Sequence, residues 1–154
     1  MPRPASLKVR ALQWLAQREH SRSELRVKLL HALRGDDDPT AAGAEVDALL
    51  DWLESRGFMS RLRFVESRTR VRQARYGNQR IQRELAQHGL ALDPAALAAL
   101  KDSELGRARE VWRKKYGSLA EDASARVRQM RFLAGRGFSA EVVRRVVRGI
   151  EGDD

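Results

Sequence analysis

Cysteine is absent from this chain, which removes disulfides, thiolate metal sites and thiol nucleophiles together and fits a reducing compartment. Apolar runs of the roughly 18 residues that read as a membrane span are also missing. Met1-Pro2-Arg3-Pro4-Ala5-Ser6 is basic but leads into no apolar stretch of signal-peptide length. A soluble, cytoplasmic protein without membrane contact is expected. Histidine is scarce: His20, His31 and His88 stand near expected helix ends without HExxH spacing, so they read as last-turn partners of helix dipoles, not as metal ligands. Lysine occurs only at Lys8, Lys28, Lys101, Lys114 and Lys115, so arginine dominates the 30 basic residues. Arginine is the side chain better suited to bidentate contact with phosphate or carboxylate.

The search for chemistry is equally negative. Asp36-Asp37-Asp38 lacks the alternating ligands, central glycine and terminal glutamate of a calcium loop and reads as a solvated loop. Gly135-Arg136-Gly137-Phe138 follows no strand and precedes no Gly-Lys-Ser/Thr, so it is no phosphate loop. We expect no catalytic residue, no metal and no cofactor; the chain reads as a binding protein and not as an enzyme.

What is present is charge, and it is unevenly placed. The 154 residues carry 30 bases against 21 acids, a formal net charge of +9. Residues 61–83 hold eight arginines and one acid, Glu66, whereas residues 35–55 hold seven acids and no base. A run of acids ordinarily marks a solvated helix face; the basic run is too one-sided for that reading to suffice.

Apolar residues recur with helical period and no segment alternates as a strand would. Leu7, Ala11, Trp14 and Leu15 form a first stripe. Ser21-Arg22-Ser23-Glu24 is a capping box, opening a helix with Leu25, Leu29 and Leu33 that stops at Gly35. Val46, Leu49, Leu50 and Leu53 mark a third helix, closed by Gly57. The pattern then restarts: Ser60 caps a helix over about 61–75, Gly77-Asn78 breaks the chain, Ile81 and Leu85 lie on a helix ending at Gly89, and Asp93-Pro94 starts an Ala95–Leu100 segment. A third round runs through Leu105, Ala108, Trp112 and Tyr116, then Val127, Met130 and Leu133 to Gly135. It closes with Ser139 as cap and Val142, Val143, Val146, Val147 and Ile150 as stripe. The fold class is therefore all-α, an elongated array of three tandem three-helix repeats at 1–58, 59–101 and 102–154, each too small to stand without its neighbours.

Along 61–76, Arg61, Arg68, Arg72 and Arg75 fall on one ridge and Arg63 and Arg70 opposite, with two apolar flanks between: Phe64 with Val71, and Leu62 with Val65 and Tyr76. Two flanks suit a helix packed on both sides with its arginines projecting. Trp14, Trp52 and Trp112 each lie on an apolar stripe and read as core. Residues 10–33 also have the outline of a helix-turn-helix, a weak signal. Electrostatics single out Arg68, Arg72, Arg75, Arg80 and Arg83 in the central repeat, with Lys114 and Lys115 in the third, as partner or DNA contacts.

Several short pieces, in order, resemble the RecX family of recombinase regulators over roughly residues 5–150: Ala11-Leu12-Gln13-Trp14-Leu15 with Arg18; Ser21, Ser23-Glu24-Leu25 and Lys28-Leu29; Leu53 through Gly57-Phe58; Arg63-Phe64-Val65; Gly77 with Ile81 and Glu84-Leu85; Phe132-Leu133 and Arg136-Gly137-Phe138-Ser139. Met59-Ser60-Arg61 departs from the Leu-Asp-Asp run frequent in that family. The resemblance implies a curved array that lies along the groove of the RecA filament on single-stranded DNA and limits its extension. RecA's ATP hydrolysis, strand exchange and stimulation of LexA cleavage would fall as a result, placing the chain in regulation of DNA repair, homologous recombination and the SOS response. The implied partners are the RecA recombinase filament and single-stranded DNA, reached directly or through the filament. No heptad seam is visible, so a monomer is expected. The alternative reading is a nucleic-acid-binding helical protein acting without a recombinase partner.

Overall fold

A computed structural model of the chain describes residues 6–33, 35 and 38–149. Among the described residues there are eight helices and no strand: α1 (Leu7–Gln17), α2 (Arg22–Ala32), α3 (Pro39–Ser55), α4 (Arg61–Arg72), α5 (Asn78–Gln87), α6 (Pro94–Lys115), α7 (Ala123–Gly135) and α8 (Ala140–Arg148). Asp36 and Asp37 of the acidic loop, Arg34 beside the Gly35 stop, and Ile150 of the last stripe lie outside the described residues. The chain divides into two compact units, Met1–Ser67 and Arg68–Asp154, the division falling within α4.

In the first unit the caps are those the side chains dictate. Ser21 Oγ accepts the Glu24 amide at 3.2 Å while Glu24 Oε1 accepts the Ser21 amide at 3.1 Å, completing the capping box. Asp38 accepts the Thr40 and Ala41 amides at the start of α3. Ala11, Leu25, Leu29, Val46, Leu50, Leu53 and Met59 form the buried cluster, with Trp14 and Trp52 packed on it as partly buried side chains. Each fully buried leucine contributes about 1.5–3 kcal/mol, more than an exposed ion pair at about 0.2–1 kcal/mol, so this apolar seam sets the packing of α1, α2 and α3. The acids of α3 are met by α2: Arg22 lies 2.8 Å from Asp51 and 3.3 Å from Glu54, and Arg26 lies 2.8 Å from Asp47. The acidic strip is a pairing face for α2, not a purely solvated one. His20 is also not a helix-dipole partner. It is buried between α1 and α2, where Nδ1 bonds the Arg18 carbonyl at 3.0 Å and Nε2 accepts from Lys28 Nζ at 2.8 Å.

Helix α4 departs from expectation. Phe64 and Val65 are buried, but Leu62 and Val71 are 58% and 62% exposed, so there are not two covered flanks. Val71 continues the Phe64 ridge two turns further along, and burial of that ridge stops short of it.

In the second unit Ala108, Leu133, Phe138, Val143, Val146 and Val147 form the core, with Trp112 packed against it. Trp112 Nε1 donates to Gln129 Oε1 at 2.9 Å, and Gln129 in turn donates to the Ser118 carbonyl. The segments around Leu100 and Leu105, expected as separate helices, are one: α6 runs unbroken for 22 residues from its Asp93 cap. The polar stretch Lys101-Asp102-Ser103-Glu104 lies between them. It does not break the helix, because Leu100, Glu104 and Ala108, at spacings of four, share one buried face, and the single Gly106 costs only about 1 kcal/mol against alanine.

Candidate partner-binding face

The site is organised by a backbone junction inside the second unit. The Gly77 amide donates to the Arg136 carbonyl at 2.8 Å and the Gln79 amide to the Gly137 carbonyl at 3.1 Å, joining the start of α5 to the turn between α7 and α8. A Cβ on Gly77 would sit 2.3 Å from the Gly137 carbonyl carbon, so only glycine permits this approach. Gly137 faces the reciprocal constraint: its φ is +88° and an added Cβ would lie 2.4 Å from that of Arg80.

Two charged side chains of α6 hold the junction from within. Glu104 is buried; its Oε2 accepts the Asn78 amide at 2.8 Å and its Oε1 accepts the Ser139 hydroxyl at 2.7 Å. Ser139 stands at the expected cap position of α8 but makes no side-chain cap bond; its hydroxyl turns instead to Glu104. Arg107 donates to the carbonyls of Gln73, Tyr76 and Leu100 and to Asn78 Oδ1, gathering the chain between α4 and α5. Burial lowers the pKa of this guanidinium from its ordinary value, against the opposing charge of Glu104. With Ser103 Oγ, which Nε meets at 2.9 Å, this arginine has five acceptors, an economical way to bury loop carbonyls that no helix satisfies.

Around this frame the cations collect on aromatic rings. The Arg80 guanidinium lies 4.0 Å from the Tyr76 ring centre, with Arg136 at 5.5 Å and Arg72 at 5.9 Å. Arg136 also lies 5.2 Å and Lys115 5.5 Å from the Phe132 ring, which Tyr116 meets edge-on at 5.7 Å. Attraction to a ring face positions each cation while leaving its hydrogen-bond donors for another acceptor.

The seven residues singled out by charge therefore have different surroundings. Arg68 and Arg72 turn toward Glu84, at 3.5 and 3.0 Å, and do not simply project. Arg80 and Arg83 line a cleft of about 480 Å³ with Arg72, Glu84 and His88 against Gly137. Arg75, Lys114 and Lys115 edge a shallower depression of about 410 Å³ floored by Phe132 and Val111, with Arg136 beside them. Glu84 is the one carboxylate lining either depression among the described residues. Sequence reasoning missed Arg136, Tyr76 and Phe132 as members of this face. A signal existed for Arg136, an arginine held between two glycines, but nothing in the local pattern brings it beside Tyr76. The three tryptophans, by contrast, are partly buried core residues as expected, although Lys8 lies 3.8 Å over Trp52.

Among the described residues no group of acids and imidazoles could hold a metal ion, and no helix is long and apolar enough to cross a membrane.

Comparison with known proteins gives the family. Residues 102–147 match the family model described as RecX, third three-helix domain. The chain is 48% identical over 151 residues to the regulatory protein RecX of Herminiimonas arsenicoxydans, covering 95% of this chain and 93% of the relative. It is 49% identical over 146 residues to that of Leptothrix cholodnii, covering 93% and 88%. The crystal structure of RecX from Lactobacillus salivarius shares the fold at a TM-score of 0.66 over 94% of each chain, with 17% identity. A helical chain with these relatives along nearly its whole length belongs to the RecX family of regulatory proteins.

Proposed function

We propose that this protein binds the RecA recombinase filament on single-stranded DNA through the basic, ring-lined face of its second unit. There it inhibits filament extension, ATP hydrolysis, strand exchange and the stimulation of LexA cleavage. The observation that carries this reading is the gathering of Arg75, Arg80, Arg83, Lys114, Lys115 and Arg136 around two depressions with Glu84 as their one lining carboxylate among the described residues. Such a face suits an acidic protein groove or a phosphate backbone. In this reading the protein acts in the cytoplasm as a monomer built of three repeats, 1–58, 59–101 and 102–154. It makes or breaks no bond and shifts an equilibrium by its difference in affinity between filament states.

The test is DNA-stimulated ATP hydrolysis by RecA, titrated with this protein well below one per recombinase. Falling hydrolysis with shortening filaments is expected; unchanged hydrolysis and filament length at saturating dose overturn the proposal.

A second reading, a nucleic-acid-binding protein acting without a recombinase, draws on Tyr76 and Phe132, since aromatic rings among cations are also how bases of single strands are held. Competition separates the two. The filament reading expects coated strand to displace free strand, whereas equal affinity for both favours direct nucleic-acid binding.

A further inference from the structure

Helices α7 and α8, with the turn before α7, carry a further groove that shares no residue with the two depressions described above. Leu119, Ala120, Met130 and Val147 form its apolar lining and Arg126, Arg144 and Arg148 its rim, enclosing about 400 Å³. Val147 is buried and Leu119 is 53% exposed. Leu119 is nevertheless seated: its Cδ2 would lie 3.0 Å from a Cβ on Gly149, the left-handed cap of α8. The three rim arginines are exposed, and no acidic side chain lines the groove among the described residues.

We propose that this groove docks an acidic peptide segment of a partner protein, one aliphatic side chain entering between Leu119, Met130 and Val147 and flanking carboxylates meeting Arg126, Arg144 and Arg148. The volume lies within the range of small recognition pockets, about 300–1,000 Å³. Methionine and leucine form an adaptable floor for an aliphatic guest. Arg144 and Arg148 stand one helical turn apart, about 5–6 Å between Cβ atoms, a spacing that two carboxylates on either side of a single anchor can span. Guanidinium groups meet carboxylates in bidentate pairs. A nucleic acid strand fits less well, because no aromatic ring lines the groove for a base to stack on.

The experiment is fluorescence anisotropy of the full chain with three labelled probes: the peptide Glu-Asp-Leu-Asp-Glu, its serine counterpart Glu-Asp-Ser-Asp-Glu, and an oligothymidylate. The leucine peptide is expected to bind about tenfold tighter than the serine peptide, in line with burial of one aliphatic side chain. Leu119→Asp, and Arg144→Glu combined with Arg148→Glu, should each weaken the leucine peptide by about tenfold, while Arg75→Glu with Lys114→Glu leaves it unchanged. Circular dichroism checks that each variant keeps its helices, and Arg144→Gln with Arg148→Gln replaces the reversal if it does not. Equal binding of the two peptides, equal loss in the Arg75 and Lys114 variant, or tight oligothymidylate binding that vanishes with Arg144 and Arg148 would each overturn the proposal.

Discussion

Glu104 accepts the hydroxyl of Ser139 at 2.7 Å through one oxygen while its other oxygen accepts the amide of Asn78 at 2.8 Å. A single buried carboxylate thereby pins the starts of α5 and α8 to α6. Glu104→Gln keeps one acceptor but turns an amide nitrogen toward the second donor. A lost charge-assisted bond and an unsatisfied buried donor cost about 1–3 kcal/mol. The expected outcome is a lower denaturation midpoint, read by chemical unfolding, with a smaller loss for Ser139→Ala.

Gly77→Ala tests the backbone junction. Its added carbon would press on backbone at 2.3 Å, which no side-chain rotation relieves. Overpacking of this kind costs about 1–3 kcal/mol or more. Gly137→Ala adds the strain of a positive φ and should be the worse of the two in thermal denaturation. If Gly77→Ala melts like the parent, the two turns do not touch as described.

Acid should loosen the first unit in two stages. Burial first of all, aided by the charges of Arg18 and Lys28, holds the His20 pKa below its ordinary 6.5, against the hydrogen bond to the Arg18 carbonyl. The unfolded chain therefore takes up a proton there before the folded one does, and stability is full above about pH 6.5 and declines as pH falls below it. Glu24 follows. Burial alone would raise its pKa, but the Arg18 hydrogen bonds, the Ser21 amide and the Arg18 charge outweigh it and hold the carboxyl at about 2. Its contribution is present above the ordinary value of 4.5 and is lost as pH drops toward 2. Melting curves from pH 7.5 to 2 read both stages, and His20→Gln should abolish the upper decline.

Charge reversal on the ring-lined face should separate binding from folding. Arg68 and Arg72 are poor choices, since reversing them places new acids beside Glu84. Arg75, Arg83 and Lys114 are exposed, and their combined reversal should leave the helical circular dichroism intact while weakening filament binding at least about tenfold. If phosphates are contacted directly, each lost contact should also flatten the salt dependence by about 0.7 in log–log slope for single strands.

Much of the fold was legible because its signals are local. Ser21 with Glu24, Asp93 with Pro94, and the glycine stops at Gly57, Gly89 and Gly135 fix helix ends within a few residues. What stayed hidden depends on partners far along the chain. Glu104 reads as a surface residue until Asn78 and Ser139 are brought to it. Arg136 reads as a loop cation until Tyr76 and Phe132 flank it. Arg68 and Arg72 appear outward on a helical wheel, which cannot represent Glu84 arriving from the next helix.

Helix α6 leaves this part of the molecule little tolerance for changes of chain length. Each residue of an α-helix advances the axis by about 1.5 Å and turns it by about 100°. Deleting one residue between Leu100 and Glu104 would swing Glu104 and Arg107 away from the ends they hold and rotate Ala108 off the core. Point substitutions on the exposed side of α6 are absorbed where they fall; an insertion or deletion acts like a key cut out of phase, misaligning every contact that follows.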